Sequence, residues 1–316
     1  MAERIVYLSW PAKEIAGGIK LAFQHVEVLR QAGIEAVIAT PDGQPPGWFQ
    51  TEVPVLNVAD LRSDEDVLVF PENHRDLLRR FAKHPNRKLV FCQNPFMAFR
   101  GLAGAKDYGD YGVTAILCEG RLTAEFCQRR FPSMPIAVVP VAIDQRLFHF
   151  QAEKRMQIAF APRKRPLEAA FIRDLFRAEN PEFRSVPWVE ISGVSEQQVA
   201  RILKDSAVYL SLSRFESVSL SILEAMACGC VVAGFTGFGA REFATTQNGF
   251  WAGEDDCLEC ASQLARAVRL VSQGGSLHSG MLEAAHLAAG HYSRERFASK
   301  VVGFWRSYLG NGQSPG

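Results

Sequence analysis

The sequence predicts an α/β protein built as two doubly wound domains. Three observations carry that prediction. Short runs that are apolar at nearly every position recur along the chain; strands of that kind are buried on both faces, as in a parallel sheet covered by helices. Helical segments lie between them and stop at Gly or Pro. The length, 316 residues, exceeds what a single core ordinarily organises.

In the first half the expected strands are Ile5–Leu8, Ala36–Ala39, Val67–Phe70, Leu89–Cys92, Thr114–Cys118 and Ile136–Val139. A helix over Ile19–Ala32 ends at Gly33, a residue suited to the left-handed C-cap. Helices over Arg75–His84 and Leu122–Arg130 stop ahead of Pro85 and Pro132. The rhythm pauses over Asp144–Lys154, DQRLFHFQAEK, a polar connector that sets the first domain at residues 1–150. The second, 151–292, reads as strand Gln157–Ala161, a helix near Leu167–Arg177, strand Trp188–Ile191, helix Glu196–Lys204, strand Val208–Leu212, helix Leu220–Cys228 and strand Cys230–Gly234. Residues 293–316 hold an amphipathic helix, Arg294–Leu309, placed to cap either domain and to cross back to the first, then a polar tail read as disordered.

The totals exclude several classes. Formal net charge is +1, so no global field draws in nucleic acid, and none is expected as a partner. No apolar run approaches the roughly 18 residues that span a bilayer. The amino-terminal MAERIVYLSW lacks a signal-peptide pattern, so a cytoplasmic location is expected. The seven cysteines are odd in number and scattered, and read as free thiols in a reducing compartment. Cys257 and Cys260 form a lone C-x-x-C with no second ligand pair, so no metal site is expected. GFTGFG at Gly234–Gly239 echoes a dinucleotide loop but no helix start follows it.

The informative stretch is ESVSLSILEAMACG. Glu216 falls in the loop after strand Val208–Leu212, and Glu224 in the helix that Ser219 is placed to cap. That helix is otherwise apolar, so an unpartnered Glu224 would be costly there. A helix amino end offers backbone N–H groups and a positive dipole end to phosphate. A carboxylate one turn on can accept two hydrogen bonds from a ribose diol, and the loop carboxylate can meet a sugar hydroxyl. The spacing suits a nucleoside diphosphate attached to a sugar.

The stretch ESVSLSILEAMACGCVVAG resembles the E-x7-E signature of retaining GT-B glycosyltransferases, the glycosyltransferase family 4-like, "glycosyl transferases group 1" proteins. The likeness runs in order along most of the chain: GGIK at Gly17–Lys20, VVPVAIDQRLF at Val138–Phe148, ISGVSEQQVARILKDSAVYLSLSRFES, and GFGAREFATTQNGFWA with Glu242 on the family's recurrent acid. It implies a GT-B fold, two Rossmann-like domains facing a central cleft. It also implies roles: Glu224 holds the ribose, Glu216 orients the donor sugar, and Ser219 and Leu220 present amides near the diphosphate. Gly17 and Gly18 let a first-domain loop approach the phosphate, and Val194 lies near the base. The family's diphosphate-holding Arg and Lys fall on Arg163 and on Lys164 or Arg165; the run PRKRP leaves the second cation open. Where the family has a first-domain His, this chain offers Gln93-Asn94, with His74 as a substitute.

The implied reaction moves a sugar from a nucleotide-diphosphate sugar to a hydroxyl of a glycan or lipid-linked acceptor, with retention and without a metal or other cofactor. Two other readings stay open: a GT-B-like binding protein without catalysis, and a sugar-nucleotide epimerase. A cationic helix over residues 75–88, with Arg75, Arg79, Arg80, Lys83, Arg87 and Lys88 beside Leu77, Leu78 and Phe81, reads first as a helix with its apolar side on the sheet and its cations in water; peripheral membrane contact is the alternative that the same make-up allows.

Overall fold

The computed structural model describes residues 3–11, 13–14, 17–61 and 65–310. Of the tail expected to be disordered, residues 310–316, Gly310 ends the last helix and residues 311–316 lie outside the described residues. The chain divides into two compact units: Met1–Val141 with Phe297–Gly316, and Ala142–Arg296.

In the first unit seven parallel strands form one sheet: β1 (Arg4–Leu8), β2 (Ala36–Thr40), β3 (Val55–Asn57), β4 (Asp66–Pro71), β5 (Lys88–Cys92), β6 (Ala115–Cys118) and β7 (Ile136–Val138). Their order is β3-β2-β1-β4-β5-β6-β7. Among the described residues, four α-helices intervene: α1 (Gly17–Gln31), α2 (Arg75–Phe81), α3 (Ala98–Leu102) and α4 (Arg121–Arg130). Strands β1, β2 and β6 are buried at every residue, as uninterrupted apolar runs demand. Gly33 follows α1 with φ +77°, as its C-cap role requires.

The cationic helix stops at Phe81, and its apolar side, Leu77, Leu78 and Phe81, is buried in the sheet's core. Lys88 is a buried strand residue and Arg87 is paired with Glu3 at 2.8 Å. Asp66 opens β4 and meets the Arg4 guanidinium at 2.7 and 2.9 Å in the interior. The edge strand β3, three partly buried residues, has too short a pattern to be read in advance.

In the second unit five parallel strands, β8 (Arg155–Phe160), β9 (Trp188–Glu190), β10 (Ser206–Leu212), β11 (Val231–Phe235) and β12 (Phe250–Ala252), take the order β12-β11-β10-β8-β9. Helices α5 (Pro166–Glu179), α6 (Glu196–Asp205), α7 (Leu220–Cys228), α8 (Cys257–Gln273) and α9 (Gly275–Gly290) connect or follow them. The unit begins at Ala142, ahead of the expected boundary at 150. The connector is anchored rather than loose: Phe148 is buried, Gln151 N–H donates to the Cys228 carbonyl, and Lys154 Nζ to that of Leu203.

Both sheets are doubly wound, and the fold is GT-B. The last helix, α10 (Arg294–Gly310), packs Phe297, Val301 and Trp305 into the first unit's core; Trp305 Nε1 donates to the Tyr7 hydroxyl at 3.1 Å.

Candidate active site

Ligands of open parallel sheets gather where the strand order reverses, outside the carboxyl ends. In the second unit that point lies between β8 and β10. The residues that follow these two strands are the 163–165 cations and the Glu216 loop.

After β8 the chain makes a short 3-10 turn, Pro162–Lys164, before α5. This turn separates three adjacent cations. Arg163 is exposed and Lys164 half-buried. Lys164 Nζ forms an ion pair with Glu216. Burial first, and the like charge of Arg163 second, push the Lys164 ammonium down to about 8. Arg165 turns the other way. Its side chain is 0% exposed, paired with Glu254 and Asp255, and donates to the Ser213 carbonyl at 3.2 Å. Arg165 is enclosed and committed to protein partners, whereas Lys164 meets Glu216.

After β10, Ser213 Oγ lies 2.5 Å from Glu216 Oε2 and 2.5 Å from Ser219 Oγ, and Ser219 Oγ is 3.2 Å from the same carboxylate oxygen. Ser219 stands at the N-cap position of α7, but its hydroxyl makes no capping bond; it serves Glu216 instead. The Leu220 amide donates to the Val218 carbonyl at 3.1 Å. No acidic residue occupies the first turn of α7; the carboxylate beside its positive end is Glu216, held by the N-cap Ser219. Glu224, one turn in, is partly buried and carries an electrostatic interaction with buried Tyr209. Val194 sits beyond the edge strand β9 and is 38% exposed.

The loop after β11 braces this arrangement. A Cβ on Gly237, whose φ is +57°, would lie 2.7 Å from Arg214 N and from Ser213 Oγ. One on Gly239 would lie 2.3 Å from the Ser217 carbonyl oxygen. Backbone packs on backbone here, and only glycine permits it.

In the first unit the order reverses between β1 and β4. Gly17 opens α1 with nothing within 4 Å of a Cβ placed on it. Gly18 makes room for a protein group: Gln93 Oε1 would be 2.5 Å from its Cβ, and Gln93 Nε2 donates to the Gly18 carbonyl at 2.7 Å. Asn94 accepts from Phe96 N–H and closes the next turn. His74 stacks on Trp10 with ring centroids 4.0 Å apart, and its Nε2 has no hydrogen-bond partner. Glu72, not anticipated, is 3% exposed; its carboxylate accepts the Gln93 N–H at 3.2 Å, and burial pushes it up to about 7.

Sequence reasoning also missed Ser213, although a Ser three positions before Glu216 at a strand's end was a readable signal. Glu254 and Asp255 gave none, because they follow β12, a three-residue strand.

Two doubly wound parallel sheets of this order are the architecture of the GT-B fold. Residues 165–270 match the family described as Glycosyl transferases group 1. The chain is 28% identical over 276 residues to the Alpha-1,6-glucosyltransferase of Actinobacillus pleuropneumoniae serotype 7 (strain AP76), covering 83% of each. Among solved structures it is similar to sucrose-phosphate synthase from Thermosynechococcus elongatus, with TM-score 0.70, 13% identity, and 98% and 100% of the two chains covered. Anabaena Alr3699/HepE in complex with UDP gives TM-score 0.70 at 11% identity over 96% and 100%; its complex with UDP-glucose gives 0.68 at 12% over 96% and 99%. The chain is a glycosyltransferase. Among the described residues, no helix is long and apolar enough to cross a membrane, and no group of three or more His, Cys, Asp or Glu is placed to hold a metal ion.

Proposed function

We propose that this glycosyltransferase transfers a glucosyl residue from UDP-glucose to a hydroxyl of a glycan or lipid-linked glycan, with retained anomeric configuration and without a metal. The observation that carries the reading is the meeting of Lys164 with Glu216 at the β8/β10 switch point, beside the amino end of α7. UDP and glucose are suggested by the glucosyltransferase relative and by the UDP-glucose complex of a protein of like fold.

In this scheme the donor diphosphate exchanges for part of the Lys164–Glu216 pairing. Lys164 and Arg163 meet negative charge as the bond from the anomeric carbon to the phosphate oxygen breaks. Glu216, held by the Ser213 and Ser219 hydroxyls, is left to orient the sugar. Glu224 holds the ribose diol, and Val194 borders the base. The acceptor oxygen bonds the anomeric carbon on the face the phosphate leaves, and its proton passes to the departing phosphate oxygen. Cationic side chains fill the part a divalent ion would otherwise take. All seven cysteines are free thiols, which supports a reducing, cytoplasmic setting.

The test is product analysis. Purified protein incubated with UDP-glucose and a glycan acceptor panel should release UDP and give an α-linked product by proton NMR coupling. A β-linked product would remove retention. Nucleotide binding with no turnover of any sugar nucleotide would leave a binding protein in its place.

A further inference from the structure

We infer that Arg165 is a positioning residue that aims the Glu216 loop and the Lys164 turn at each other, rather than a group that touches the donor. This inference rests on the proposed roles of Glu216 and Lys164.

Four observations carry it. First, the guanidinium reaches the carboxyl edges of four of the five strands. Arg165 follows β8; its Nε donates to the carbonyl of Ser213, the residue after β10; its terminal nitrogens pair with Glu254 and Asp255, beyond β12; and its Cζ lies 4.4 Å from the ring centroid of Phe235, the last residue of β11. Second, the side chain is 0% exposed, while those of its partners Glu254 and Asp255 are 48% and 60% exposed. A cation enclosed by protein, with its counter-charges on the solvent side, is shaped to hold segments together rather than to receive a ligand. Third, Ser213 is gripped at its carbonyl by Arg165 while its hydroxyl contacts Glu216 and Ser219. Rotation of the Ser213 peptide would therefore move the carboxylate's support. Fourth, Arg165 ends the turn that carries Arg163 and Lys164, so the same guanidinium fixes the base of the cation that meets Glu216.

The structure gives further signs that this junction is built around the arginine. Asp255 holds a positive φ of +65°, a conformation that a non-glycine residue keeps only where its surroundings enforce it. Glu168, on the first turn of α5, lies 3.7 Å from Arg165 and 3.9 Å from Arg214, and Arg214 is in turn 3.9 Å from Asp255. Planar fork geometry suits a guanidinium, and not an ammonium, to three segments at once.

The experiment compares Arg165→Met, Arg165→Lys and the double variant Glu254→Gln/Asp255→Asn in the full chain. Backbone hydrogen exchange across residues 213–219 should quicken about tenfold in the double variant, while residues 222–228 of α7 stay protected. With UDP-glucose, kcat should fall by about 10- to 100-fold in Arg165→Met, because small misplacement of reacting groups costs that much. The Kd for UDP-glucose should stay near that of the parent protein, and Arg165→Lys should recover part of kcat. Unchanged exchange over 213–219 overturns the inference, as does a Kd that weakens in step with kcat, which would mean direct phosphate contact. If Arg165→Met fails to fold, the double variant decides, since its substituted side chains are solvent-facing. If the parent protein transfers no sugar, the proposed reaction falls while the exchange result still judges Arg165.

Discussion

The two sheets share a winding rule but end in different chemistry. At the carboxyl edge of the second unit the switch-point groups are charged and mutually paired: Lys164 with Glu216, and Arg165 with Glu254 and Asp255. At the corresponding edge of the first unit, Glu72 is met by the Gln93 amide, Gln93 by the Gly18 carbonyl, and His74 by the Trp10 ring. Topology thus fixes where a ligand can collect, and the residues just past each strand fix what kind. In the proposed reaction the second edge receives the diphosphate and meets charge as it forms. The first presents amides, stacked rings and the buried Glu72 carboxyl.

The strongest way to break that contrast is to remove the charge from the second edge. Lys164→Ala should lower kcat with UDP-glucose by about 10²–10³, the usual loss when one preorganised charge-stabilising group is deleted. Initial-rate UDP release would show it. A loss under threefold would mean that the leaving phosphate is met elsewhere.

On the first edge the corresponding test concerns a proton rather than a rate. Glu72 has its folded-state value raised from 4.5 to about 7 by burial. Between those limits the unfolded chain gives up the proton while the folded one keeps it. Stability from this group is therefore full below about 4.5, falls as pH rises to about 7, and is flat above, by roughly 3 kcal/mol in all. Glu72→Gln should lack that slope. Urea denaturation of both proteins from pH 4.5 to 8 would measure it, and parallel curves would place Glu72's proton elsewhere.

Most strands were legible because their apolar runs are uninterrupted, and α7 was bounded to the residue because Ser219 and Gly229 frame it. The misses have physical reasons. Strands β3 and β12 are three residues each, too few to show a pattern. Helix α9 has alanines, glycines and scattered polar residues instead of a clear apolar stripe. In the site, Glu216 and Glu224 could be picked out because acids are rare in such an apolar segment. The division of labour among Arg163, Lys164 and Arg165 could not. It depends on a 3-10 turn that sends neighbouring side chains in opposite directions, and on carboxylates nearly ninety positions away.

A smaller effect sharpens the picture of the donor side. Glu224→Ala should weaken UDP binding by about 1.5–3 kcal/mol, the worth of hydrogen bonds to a charged group, with kcat at saturating donor little changed. Isothermal calorimetry would test it. Unchanged affinity would take the ribose away from Glu224 and leave that carboxylate to its neighbours around Tyr209.

The smallest expected effect is the most specific, because only one edge should show it. Burial and Arg163 hold the Lys164 ammonium at about 8 in the ligand-free protein. A diphosphate binds the charged form. Below that value the proton is already in place; as pH climbs through it, the free protein loses the proton and binding must take one up. Affinity for UDP-glucose should therefore fall above about pH 8, approaching tenfold per pH unit for one linked proton. UDP-glucose is the right probe, since its diphosphate has no ionisation of its own in this range. Calorimetry at pH 8.5 in buffers of different ionisation enthalpy should register net proton uptake. Lys164→Arg, which keeps its charge, should bind with a flat profile. A flat profile in the parent protein between pH 7 and 9.5 would show that Lys164 does not meet the donor's charge, and would return the role to Arg163 and the amino end of α7.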